Sequence, residues 1–149
     1  MIKRFLSYVE IKTKITSTFA FLLTIAYLFY VGQPIRWELT LLFFASMFLF
    51  DLTTTAINNY IDTKTNGIPL QFQRGAALLI IIVMLLASAF LGLCLVYYTD
   101  IVVLLLGGLC FLCGIFYTYG PAPISRQPWG EVLSGVFYGF FIPFILLYV

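Results

Sequence analysis

Apolar residues run along this chain in five long blocks, and polar residues gather in the short segments between them. The blocks cover residues 17–31, 38–57, 75–97, 101–117 and 132–149. None alternates with a period of two, so none reads as a strand of a membrane barrel. Most approach the ~20 residues with which a helix crosses a ~30 Å hydrocarbon layer, and a helix satisfies its own backbone there. The pattern predicts an all-α fold: a polytopic transmembrane helical bundle of about five helices, one membrane domain over residues 1–149. The first block follows a basic lead, but that lead is long and no A-x-A site closes the block. It reads as a membrane helix and not as a cleaved leader.

One segment breaks the pattern. Residues 51–67, DLTTTAINNYIDTKTNG, hold two acids, three asparagines and five threonines. At helical pitch, Asp51, Thr55, Asn58 and Asp62 fall within an arc of about 60°, and Asn59 and Asn66 lie within about 100° of Asp51 if the helix continues. The polar groups therefore form a stripe. Asp62 is ~16 Å beyond Asp51 along a helix, so Asp51 lies well inside the bilayer if Asp62 marks its edge. A carboxylate at that depth costs about 2.5–3.5 kcal/mol on insertion scales unless it faces a cavity or a partner. The stripe must face the protein interior. It is either a polar seam that joins helices or the wall of a hydrophilic cavity.

Composition narrows the class. The chain is 62% hydrophobic and 9% charged, has no histidine, and has a mean hydropathy of +1.06. A soluble fold of this size needs more polar surface. The net charge of +2 and the absence of a basic cluster argue against a nucleic-acid partner. The partner that composition implies is a lipid bilayer. Orientation follows from lysine and arginine. With a cytoplasmic N-terminus, Lys3, Arg4, Lys12, Lys14, Lys64, Arg74 and Arg126 are inside and only Arg36 is outside, seven of the eight basic residues. The loops at 63–74 and 118–130, and the Asp62 end of the stripe, are then cytoplasmic.

Two smaller motifs read as packing. Cys110 and Cys113 form a C-x-x-C, but they sit in mid-helix among Gly, Leu and Phe and have no second pair. Gly135 and Gly139 form a G-x-x-x-G, which predicts close helix contact within this chain or with another.

Oxygen ligands from Asp and Asn suit a hard cation such as Mg²⁺, which is usually held by one or two carboxylates plus substrate phosphates. A site of that kind in a membrane suggests a lipid diphosphate. The metal would neutralise the leaving diphosphate, and apolar helix faces would hold the lipid tail.

At these residues the chain resembles a known family. NNYIDTKTN, residues 58–66, is similar to the first aspartate-rich motif, N-D-x-x-D-x-x-x-D, of the UbiA family of membrane prenyltransferases. YTYGPAPISRQPWGE, residues 117–131, resembles the Y-[ST]-x-G-P-x-P-I…G-E segment of the branch that prenylates 1,4-dihydroxy-2-naphthoate in menaquinone synthesis. YVEIKTKITS, residues 8–17, resembles that branch's lead-in to its first helix. The resemblance implies transfer of a polyprenyl group from a polyprenyl diphosphate to that aromatic acceptor, through an allylic carbocation, in a bacterial plasma membrane. It implies Mg²⁺ held by Asp62 and Asn58, with Asn59 and Asn66 at the remaining motif positions and Tyr117 at the cavity mouth. Asp51 is a candidate substrate contact on the same stripe. Lys12 or Lys14 could meet the acceptor carboxylate or the diphosphate, or could anchor topology, and Lys64, Arg74 and Arg126 carry the same two readings.

The chain also departs from the family. Asn59 and Asn66 stand where aspartate is usual, which leaves Asp62 as the charged motif ligand. The family has about nine helices and a second aspartate-rich motif, and this sequence carries neither. The expectation is therefore half of a UbiA-type fold, inactive alone unless a second chain completes it. A non-enzymatic polytopic membrane protein and a prenyl-lipid binder without turnover are the alternatives.

Overall fold

The computed structural model describes residues 2–66, 69–119, 124 and 127–149, with residues 65 and 66 described through their backbone alone. The described residues are mostly helical, with no strand among them. A short α1 (Ile2–Tyr8) leads through a 3₁₀ turn (Ile11–Lys14) into α2 (Ile15–Val31). Then come α3 (Trp37–Asn66), α4 (Arg74–Tyr98) and α5 (Ile101–Thr118). The last helix has three parts: α6 (Trp129–Val136), a π turn (Phe137–Phe141) and α7 (Ile142–Tyr148). Five stretches are long and apolar enough to cross a membrane: Ile11–Val31, Trp37–Lys64, Arg74–Tyr98, Ile101–Thr118 and Trp129–Tyr148. This is the architecture of an integral membrane protein, as the five apolar blocks predict.

The differences from the sequence pattern have physical causes. The polar run does not end a helix; it is the second half of α3. Its threonines stay compatible with a helix by donating to carbonyls of their own turn, Thr53 to Leu49 at 2.7 Å and Thr63 to Asn59 at 2.8 Å. Residues 63–66 lie inside α3 and Arg74 opens α4, so both ends of the expected loop 63–74 belong to helices. The π turn precedes Pro143, which lacks an N–H and crowds the carbonyl four residues back, so the helix widens there by one residue. The seven residues of α1 are too few for a hydropathy pattern to mark.

Small residues let the helices approach. α3 packs most extensively on α4, where Ser46 Oγ donates to the Ser88 carbonyl at 2.9 Å and a Cβ on Gly92 would lie 3.3 Å from Ser46 Oγ. Gly114 brings α5 against α3. A Cβ there would stand 2.6 Å from the Phe50 ring, which is itself stacked on Phe111 at 4.0 Å. Gly135 and Gly139 have nothing within 4 Å of an added Cβ, so among the described residues the G-x-x-x-G makes no close contact within the chain.

Two apolar cores stand at opposite ends of the bundle. One joins Phe21, Ile25, Phe43, Leu95, Val103, Ile145 and Leu146 at the Trp37 end. The other joins Tyr8, Val9, Leu52, Ala56, Ala77, Ile81 and Met84 at the Asp62 end. Outward faces carry exposed Phe19, Leu23, Leu79, Leu86, Leu105 and Leu112, as lipid contact requires. α3 has 30 residues and exceeds the hydrocarbon thickness. Counted ~30 Å from Trp37, the apolar layer ends near residue 57. Asp51 is then ~9 Å inside it, and Asn58 and Asp62 lie at or beyond its edge.

Candidate functional site

The polar stripe on α3 divides into two parts with different partners. In the deep part, Asp51 is held from α2 and the turn before it. Lys14 Nζ lies 2.9 Å from Asp51 Oδ1 and 2.5 Å from Thr55 Oγ1. Ser17 Oγ lies 2.6 Å from Asp51 Oδ2 and 3.0 Å from the Lys14 carbonyl; with one proton to donate, it favours the shorter contact with the anion. Both charged side chains are shielded, with 6% of Lys14 and 14% of Asp51 exposed. The chain reaches this geometry through Glu10, which adopts the left-handed conformation (φ 47°) and turns α1 into the 3₁₀ segment. Lys14 thus takes a role beside the two read from the sequence: it neutralises the Asp51 carboxylate.

In the outer part, Asn58 Nδ2 donates to Asp62 Oδ2 at 3.0 Å, one turn apart on the same face. Asn59 points elsewhere and donates to the Tyr8 carbonyl at 2.8 Å, which fastens α1 to α3. Tyr8 is fully buried, its ring edge-on to Phe72 at 5.7 Å. Burial, with Tyr60 beside it, pushes the Tyr8 phenol up to about 12. The Arg74 guanidinium lies over the Tyr60 ring at 5.3 Å. Lys12 and Lys64 are exposed at this end. Asn66 closes α3, and its side chain lies outside the described residues, as does Arg126.

Beside the deep part opens a cavity of about 520 Å³ between α3, α4, α5 and the last helix. On α3 it runs from Phe43 to Thr54, ~16 Å of helix. Its walls are apolar, and Gly92, Gly107, Gly108 and Gly114 leave room for it. Polar side chains collect mainly at one end, where Ser17, Asp51, Thr54, Tyr117, Ser134 and Tyr138 all contribute to the lining. The structure brings two of the candidate site residues, Asp51 and Tyr117, to this cavity. Asn58 and Asp62 are not in its lining; they stand one and two turns beyond Thr54 on the side away from the apolar body.

Sequence reasoning missed Ser17 and Tyr138. Ser17 carried a usable signal, since it lies three residues after Lys14 and so on the same face of the first helix. Tyr138 carried none, because the π turn that contains it shifts the helical phase.

The donor set can be tested against Mg²⁺. Among the described residues, no three Asp, Glu, Cys or His side chains cluster to cage a metal. The Asn58–Asp62 pair offers one carboxylate and one amide oxygen, which fits a cation bridged to a substrate phosphate and does not fit an all-protein cage.

No protein-family model, curated protein or solved structure matches the chain.

Proposed function

We propose that this chain is the first-motif wall of a UbiA-type prenyltransferase, acting on a polyprenyl diphosphate and an aromatic acceptor, 1,4-dihydroxy-2-naphthoate by resemblance. A second chain supplies the opposite wall. The lysine and arginine bias supports a cytoplasmic Asp62 end. The observation that carries the reading is the alignment on one helix of a hydrophilic pair, Asn58 and Asp62, with the polar end of an apolar cavity about a turn away.

Each part has a task in that reading. Asp62 and Asn58 hold Mg²⁺, which when bound supplies charge to stabilise the departing diphosphate. Lys12 and Lys64 sit exposed at the same end and add positive charge for a polyanion. The cavity walls take the isoprenoid tail and keep water from the reacting carbon. Tyr117 and Tyr138 present aromatic rings at the cavity's polar end, where an allylic cation would be met by their faces.

A second reading is favoured by one observation. Lys14 and Ser17 occupy both oxygens of Asp51, which is what a seam between α2 and α3 requires. On that reading the chain binds a prenyl lipid without turnover, or is a non-enzymatic membrane protein. The discriminating experiment supplies Mg²⁺, a polyprenyl diphosphate and dihydroxynaphthoate to the purified chain in detergent. Mg²⁺-dependent retention of the diphosphate supports the family reading, and product formation would show that this chain by itself builds a whole site. Failure to retain the diphosphate with Mg²⁺ present contradicts the prenyltransferase reading.

A further inference from the structure

The cavity's polar end has a specific chemical character that follows from the ion pair beside it. Lys14 uses one proton on Asp51 and a second on Thr55. Ser17 donates to Asp51, and the Thr54 hydroxyl donates to the Asp51 carbonyl of its own helix. The donors nearest the carboxylate are therefore engaged within the protein. The Asp51 carboxylate lines the cavity and retains lone pairs beyond the two it uses. The pair has no net charge, so it offers no surplus positive field to an anion. It does offer an acceptor at low dielectric, which penalises an incoming acceptor or anion and rewards a group that brings its own proton. Tyr117 and Tyr138 line the same cavity, and their hydroxyls can donate in return.

We propose that this cavity binds an uncharged amphiphile whose head carries a hydroxyl, with the hydroxyl donating to Asp51 and accepting from a tyrosine, and with its long apolar chain running toward Phe43 and Val103. A hydroxyl is the smallest group that satisfies both sides at once. A carbonyl, an ether or a phosphate is not matched: the first two bring no proton, and the third brings a charge that Lys14 is already neutralised against. The volume of about 520 Å³ and the ~16 Å run along α3 suit one such chain and not a bulky polycyclic ligand. Two sources share this chemistry, a prenylated hydroquinone and a long-chain alcohol. The inference stands on the cavity and the ion pair and does not depend on prenyl transfer.

The native Cys110 in the cavity wall provides the readout. In a Cys94→Ala, Cys113→Ala background, maleimide labelling of Cys110 is followed in detergent against four probes. These are geranylgeranyl hydroquinone under dithionite, its dimethyl ether, geranylgeraniol and geranylgeranyl diphosphate, all with EDTA present so that no metal holds the diphosphate. The hydroxyl-bearing probes are expected to protect Cys110 at concentrations about tenfold or more below the ether, the usual worth of a hydrogen bond to a charged acceptor. Protection by the alcohol equal to that by the hydroquinone supports a single-hydroxyl head; stronger protection by the hydroquinone supports a phenolic one. Removing Asp51 alone would strand Lys14, so the control is Lys14→Met together with Asp51→Leu. That variant is expected to fold, to label at Cys110, and to lose the preference for hydroxyl over ether. Equal protection by the ether, a preference that survives in the double variant, or stronger protection by the diphosphate than by the hydroxyl probes would overturn the proposal.

Discussion

Lys14 and Asp51 lie 37 positions apart and meet at 2.9 Å, Nζ to Oδ1, at a depth where neither charge is tolerated alone. The pair binds the start of α2 to the middle of α3 and defines the polar end of the cavity. Breaking a buried pair leaves one charge uncompensated, whereas replacing both partners by apolar groups of similar volume is often neutral or stabilising. Lys14→Met is therefore expected to lower stability by about 3–5 kcal/mol, and the double change Lys14→Met, Asp51→Leu to restore most of it. Thermal unfolding in detergent checks this. Equal loss in the single and double variants would show that the pair is not coupled.

Gly114 sits where α5 crosses α3, with the stacked Phe50–Phe111 rings filling the space in front of it. Gly114→Ala forces a contact of 2.6 Å with a ring that cannot swing freely. The expected cost is about 1–3 kcal/mol, as for other overpacked interiors. Gly108→Ala meets open cavity and is expected to leave stability unchanged within about 0.5 kcal/mol. Matched melting curves of the two variants test the contrast.

Much of this fold is legible in the sequence because lipid is a demanding solvent. Five apolar blocks map onto five spans, with ends that differ by up to seven residues, and the depth of Asp51 already requires a partner or a cavity. What stays hidden is which partner. Lys14 reads as one of a group of basic residues beside a helix end, and only the left-handed turn at Glu10 and the 3₁₀ segment after it carry Lys14 down to the level of Asp51. Likewise, the spacing of Asn58 and Asp62 predicts that they meet, since they are one turn apart. The departure of Asn59 toward Tyr8 depends on where a seven-residue helix docks, which no periodicity encodes.

Tyr8 carries a buried hydroxyl without a hydrogen-bond partner among the described residues. A buried polar group left unpaired costs desolvation energy without return. Tyr8→Phe keeps the edge-on contact with Phe72 and is expected to be neutral or to stabilise by about 1 kcal/mol. A clear destabilisation in the same melting assay would show that the hydroxyl has a partner in the membrane.

At the other end of the bundle, Tyr148 donates to Asp100 Oδ2 at 2.5 Å, while Asp100 Oδ1 accepts from the Val102 N–H at 2.8 Å and caps α5. The phenol first, and the backbone N–H second, hold the Asp100 carboxyl below its ordinary value. The folded value is depressed, so the contribution to stability is present above the ordinary value and is lost as pH falls through the folded one. Tyr148→Phe removes the larger cause. The melting-temperature gap between the native chain and Tyr148→Phe is expected to be constant near neutrality and to shrink below about pH 4. A gap that widens on acidification would reverse the sign of the assignment.

The central claim is that Asp62, on the polar end of α3, holds a metal-bridged diphosphate. The most direct measurement is equilibrium binding of a radiolabelled polyprenyl diphosphate to the purified chain with Mg²⁺, with EDTA, and with Asp62→Ala. The account expects saturable binding that EDTA abolishes. It expects Asp62→Ala to weaken that binding by about tenfold or more while the protein remains folded in detergent. Binding that is indifferent to EDTA, or unchanged in Asp62→Ala, would contradict it.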